Sequence, residues 1–98
     1  MPEYGPTVFG KILRKEIPAD FIYEDEHAVA FFEVHPAAPV HFLVLSKKPI
    51  PRLSESTDDD KQLLGHLLCV ARYVANEQKL DHGYRVVIKY VLFALCGN

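Results

Sequence analysis

Five histidines, two cysteines and one cluster of basic side chains carry the widest chemical range in this chain. Histidine titrates nearest neutral pH and can serve as nucleophile, general base or metal ligand. His27, His35, His41, His66 and His82 are scattered, and no two alternate as His-x-His. That alternation is what would set several rings along one face of a strand. His41 opens an apolar run and reads on its own as a hydrogen-bonded structural histidine. His66 and Cys69 stand three apart, close enough on a helix to share a metal. No second pair at a supporting spacing completes the four ligands that structural zinc takes, so no metal is expected. The chain has no Walker-type glycine loop and no G-x-G-x-x-G, and no cofactor is expected. Lys47, Lys48 and Arg52 form a local basic cluster, either a solvated loop or a patch that steers phosphate.

These groups must be positioned by one domain, because 98 residues leave no room for two. The composition is that of a globular protein, 49% hydrophobic and 24% charged, with a net charge of −2. Such a near-neutral balance gives no electrostatic footprint for nucleic acid or an anionic membrane. Cys69 and Cys96 lack the spacing of a disulfide framework and suggest a reducing compartment. No apolar run approaches the roughly eighteen residues of a membrane span. The opening MPEYGPTVFG has no basic or apolar presequence, which makes a cytoplasmic protein the expectation.

The apolar periodicity predicts a short helix over Thr7 to Lys15, with Pro6 and Thr7 as start signals and Pro18 beyond its end. A β-hairpin follows, Phe21 to Glu24 and Ala28 to Val34, around the polar turn Asp25-Glu26-His27. Large apolar groups on both faces of the second strand predict burial on both sides. HPAAPV, 35–40, must be an extended connection, and His41 to Ser46 a third strand. The clearest helix is predicted at Asp58 to Lys79, with Ser56 or Thr57 as cap and three aspartates at its positive end. Its apolar face is wider than one sheet contact requires, which fits packing on its own sheet and on a partner subunit. Gly65 lowers helix propensity there by about 1 kcal/mol relative to alanine, which predicts close packing at that point. Asp81, His82 and Gly83 turn the chain into a fourth strand, Tyr84 to Ile88.

The segments TVFGKILRKEIPADFIYED, AVAFFEVHPAAPVHFLVLSKKPIPR, DDDKQLLGHLL and GYRVVI, in this order and spacing, resemble the histidine triad (HIT) family. The similarity is greatest to its histidine triad nucleotide-binding (Hint) branch, and KKPIPR resembles that branch's mitochondrial members, which implies a mitochondrial location as the alternative to a cytoplasmic one. The resemblance spans residues 7–88 of a domain placed at 7–98. It implies an α+β fold with an antiparallel sheet, one short N-terminal helix and one long helix, and a homodimer with the long helix at its interface. It also implies binding of purine nucleotides such as AMP and hydrolysis of nucleoside phosphoramidates, including adenosine 5′-monophosphoramidate. In the family the middle residue of a His-x-His-x-His strand attacks phosphorus. By position, Phe9 and Ile12 match residues bordering the base, and Phe31, Phe32, Glu33 and Val34 match the block that holds base and ribose. Glu33 replaces the usual aspartate, whose carboxylate accepts the ribose hydroxyls. Without the resemblance, Phe9, Ile12, Phe31 and Val34 are also what any core needs, and Glu33 reads as a surface carboxylate. His41 matches a histidine near the active site that is not the nucleophile.

From Lys89 onward the resemblance stops. Lys89 stands where the family carries asparagine, and YVLFALCGN follows in place of the glycine-rich turn and the histidine strand. No catalytic residue is expected in this chain. The tail is expected either to extend the fourth strand or to cover core vacated by the missing catalytic strand. A nucleotide-binding domain without catalysis is the first expectation. The alternative is an interaction module that pairs with itself or with a full-length relative through helix 58–79.

Overall fold

The computed structural model describes residues 8–50, 52–89 and 92–97. Helix α1 (Val8–Leu13) leads into strands β1 (Phe21–Glu24), β2 (Ala28–Phe32) and β3 (Val40–Ser46). Two 3₁₀ turns, Leu53–Glu55 and Asp58–Asp60, precede helix α2 (Lys61–Glu77), and β4 (Arg85–Lys89) and β5 (Leu92–Gly97) complete the elements. Together they make the α+β fold expected from the sequence.

Several predicted boundaries move by one to three residues, and the shifts at the helix ends have local reasons. The first helix stops at Leu13 because Lys15 turns left-handed, at φ 63°, and closes the end onto the Ile12 carbonyl. Predicted residue Thr7 lies outside the described residues. Aspartates 58–60 form a 3₁₀ turn in which Thr57 and Asp60 cap each other, and the α-helix proper begins at Lys61. Gly83, at φ 94°, supplies the reversal into β4 that L-residues rarely adopt.

The sheet is fully antiparallel in the order β1-β2-β3-β5-β4. The tail therefore does more than extend the fourth strand. It folds back as β5 and inserts between β3 and β4, where Phe93 pairs with Val44 and Leu95 with Phe42. The expectation of a missing final strand is therefore corrected, since a fifth strand is present and central.

Alternation sorts the side chains onto two faces. Ala28, Ala30, Phe42, Val44, Phe93 and Leu95 face α2 and meet its Leu67, Val70, Ala71 and Val74. Val29, Phe31, Leu43 and Leu45 face the other way and pack with Ile12 of α1. β2 is thus buried on both sides, as its composition implies, with Ala28, Val29 and Ala30 fully buried. Burying each large side chain contributes about 1.5–3 kcal/mol. Among the described residues no helix is long and apolar enough to cross a membrane.

Candidate functional site

The face under α1 receives three of the six residues that the sequence nominates, Ile12, Phe31 and Glu33. Ile12 and Phe31 are buried together there, and Phe21 packs on Phe31 with ring centres 6.2 Å apart and the planes tilted by 40°. Beside them opens a pocket of about 230 Å³ lined by Ile12, Lys15, Ile17, Pro18, Ala19 and Phe21. Phe9 lies in α1, and its side chain is outside the described part. Phe32 is placed on the opposite face, because its cross-strand partner Phe42 belongs to the α2 core. Val34 lies in the bend after β2 and is 80% exposed. The six nominated residues therefore do not form one wall. Ile12, Phe31 and Glu33 share a side, and Phe32 is turned from it.

Glu33 sits where β2 gives way to the proline-containing connection. Its amide still donates to the His41 carbonyl (2.9 Å), and its Oε1 accepts weakly from the His35 amide (3.4 Å). On β3, His41 Nδ1 accepts from the Ala37 amide at 3.0 Å, which leaves Nε2 as the donor of the neutral ring. The next strand, β5, sets Cys96 opposite His41, and Arg85 of β4 stands opposite Cys96. Cross-strand partners share a face. Glu33, His41, Cys96 and Arg85 thus form one row across four strands on the α1 side. β5 presents Ala94 and Cys96 to that face, with no imidazole.

A second cluster lies at the other end of the sheet, and the sequence did not reveal it. Asp25, in the β1–β2 turn, accepts from Tyr23 Oη (2.7 Å), the amides of His27 (2.7 Å) and Ala28 (2.8 Å), and His66 Nε2 (2.6 Å). The rings of His27 and His66 meet edge to face at 5.8 Å. A cleft of about 650 Å³ opens alongside, lined by Glu26, His27, Lys47, Lys48, Asp59, Asp60 and His66 among others. Its lysines are already engaged, Lys47 with Glu24 and Lys48 with Asp60. With its four donors Asp25 is a clamp that ties the hairpin turn to α2. The sequence separation of 41 residues between Asp25 and His66 hides the pair from local pattern. Among the described residues no three His, Cys, Asp or Glu side chains are placed to hold a metal.

The clamp has a pH signature. Burial pushes the Asp25 carboxyl up, but hydrogen bonds from Tyr23, His27, His66 and Ala28 outweigh it and hold the group well below the carboxylate range. Asp60 is lowered too, mainly by Lys48 and by the Thr57 amide. A carboxylate depressed in the folded state stabilises fully above its unfolded pKa, near 4, and that stability fades as pH falls through the folded value. Asp25→Ala is expected to cost about 2 kcal/mol at pH 7 and to flatten the loss of stability below about pH 4. Urea midpoints across pH 3 to 7 measure both, and a variant curve parallel to wild type would remove the clamp.

An antiparallel five-stranded sheet with a long helix on one face and a short helix on the other defines the HIT-like class. The chain belongs to the HIT family. The model for the C-terminal binding region of the scavenger mRNA decapping enzyme matches residues 6–91. An uncharacterized HIT-like protein of Synechococcus elongatus is 52% identical over 82 residues, covering 84% of this chain and 72% of that one. A 14 kDa zinc-binding protein of Zea mays is 44% identical over 86 residues, covering 86% and 67%. The crystal structure of a HIT family hydrolase from Legionella pneumophila superposes with a TM-score of 0.89 at 33% identity, covering 95% of this chain and 93% of that one.

Proposed function

We propose that the chain is a purine-nucleotide-binding domain of nucleoside phosphoramidase descent that binds an AMP-like ligand and does not turn it over. Membership of a family of nucleotide-binding hydrolases supports the first half. The observation that carries the second is the face of β5, where Ala94 and Cys96 stand on the nucleotide side and no ring is available to attack phosphorus. His41 does not substitute. Its Nδ1 lone pair is engaged by the Ala37 amide, and in the neutral ring Nε2 then carries the proton and has no lone pair to offer.

In this reading the base enters beside Ile12 and Phe31, and the Glu33 carboxylate accepts the ribose hydroxyls. Calorimetric titration with AMP is expected to show binding, and Glu33→Gln to weaken it about tenfold without lowering the urea midpoint. Equal affinity for AMP in the two proteins would remove Glu33 from the site. Absence of binding by the wild type would remove the reading.

A second reading has its own support. Gly65 is exposed on α2, and a Cβ built there meets nothing within 4 Å, so packing inside this chain does not require glycine. Leu68 and Tyr73 on α2 are 50% and 53% exposed, and the edge strand β4 exposes Val86, Val87 and Ile88. These features suit close approach by a second copy or a full-length relative. Gly65→Ala is expected to stabilise the isolated chain by about 0.5–1 kcal/mol through helix propensity while weakening association. Native mass spectrometry of wild type and variant decides it, and unchanged association sinks this interface.

A further inference from the structure

We infer that Arg85 is a phosphate-binding residue of the α1 face, so that a purine nucleoside 5′-phosphate lies across β2, β3, β5 and β4 with its ribose at Glu33. The inference rests on the nucleotide reading above and adds the group that meets the ligand's charge. Arg85 shares a row and a face with Glu33 and His41, by the pairings of Cys96 with His41 and with Arg85.

Three strand spacings separate the ends of the row, about 14 Å at the backbone. Glutamate and arginine side chains are long enough to meet the two ends of a ribose 5′-phosphate laid along such a row. The polarity of the row fixes the ligand's direction. A carboxylate at one end accepts from ribose hydroxyls, which are donors. A guanidinium at the other end stays charged throughout the working pH range and forks onto phosphate oxygens.

Between them β5 contributes Ala94 and Cys96, both half-buried, which make a low floor for the sugar-phosphate. His41 Nε2 adds a donor along the same path. Arg85 is exposed, and among the described residues it takes part in no ion pair. A guanidinium engaged with an internal carboxylate would be less available to a phosphate.

Calorimetric titration of adenosine and of AMP into wild type, Arg85→Gln and Arg85→Lys tests the assignment. Wild type is expected to bind AMP about tenfold more tightly than adenosine, with that advantage shrinking as salt rises. Arg85→Gln is expected to erase the advantage while leaving adenosine affinity unchanged, and Arg85→Lys to keep part of it, since the charge remains without the fork. An advantage that survives in Arg85→Gln overturns the role of Arg85 and leaves the nucleotide reading standing. A wild type that binds adenosine and AMP equally also overturns it. A wild type that binds neither defeats both. Circular dichroism of each variant checks folding. Should Arg85→Gln fail to fold, the lysine variant and the salt dependence decide, because an advantage insensitive to both contradicts a guanidinium–phosphate contact.

Discussion

Adenosine 5′-phosphoramidate incubated with the purified chain is expected to stay intact, with turnover about 10⁴-fold or more below that of a triad-bearing relative assayed beside it. The magnitude follows from what nucleophile loss does in enzymes that form a covalent intermediate, where one removal cost on the order of 10⁶ in kcat. Cleavage of the phosphorus–nitrogen bond through a phosphorylated imidazole needs a ring with a free lone pair beside the phosphorus and a proton source for the leaving amine. Of the five histidines, His27 and His66 are at the hairpin-turn end against Asp25, and His35 and His82 are exposed in a bend and a turn. His41 alone lies in the row, and its Nδ1 is occupied by the Ala37 amide. In a serine-protease triad, binding and oxyanion stabilisation without the nucleophile leave about 10³–10⁴-fold over water, far short of the full rate. Ammonia release at the rate of the intact relative, abolished by His41→Ala, would show that this ring turns over to attack and would end the binding-only reading. Release unaffected by that variant would point to a contaminating enzyme.

The faces of the sheet were legible because alternation is a strong signal. Val29 and Phe31 against Ala28 and Ala30 already divide β2 into two buried sides, and both sides are filled. The apolar stripe of α2 and the aspartates ahead of it were equally readable; of the two cap candidates, Ser56 and Thr57, Thr57 caps the 3₁₀ turn that precedes the helix. Only the family resemblance groups Phe32 with Phe31; alternation along β2 sets it on the other face, and its pairing with Phe42 agrees. What stayed hidden depends on partners far apart in sequence. The Asp25 clamp joins a turn to a helix one hydrogen bond at a time, and neither residue announces the other. The row from Glu33 to Arg85 is a property of register, which only the strand order fixes. The tail was hardest to read. Seven apolar or β-prone residues specify a strand without saying which edge or gap it will fill.

That last point has a large and measurable consequence. Phe93→Ala is expected to destabilise the chain by about 3–5 kcal/mol, the usual cost of emptying a fully buried aromatic site. Phe93 is 2% exposed, lies between Val44 of β3 and Ile88 of β4, and belongs to the cluster that holds α2 on the sheet. A single domain of this size has a net stability of only about 5–15 kcal/mol, so one such loss removes a large share of it. Val87→Ala on the neighbouring edge strand is the control. Its side chain is 45% exposed, and truncation there is expected to cost about 1 kcal/mol or less. Urea unfolding followed by circular dichroism should therefore separate the two midpoints widely. If they coincide, residues 92–97 do not fill the gap between β3 and β4. Ala94 and Cys96 would then not floor the nucleotide face, and both the absence of a nucleophile there and the placing of Arg85 would lose their geometric basis. The tail's packing is thus the physical premise on which the functional reading stands, and it can be tested without any ligand.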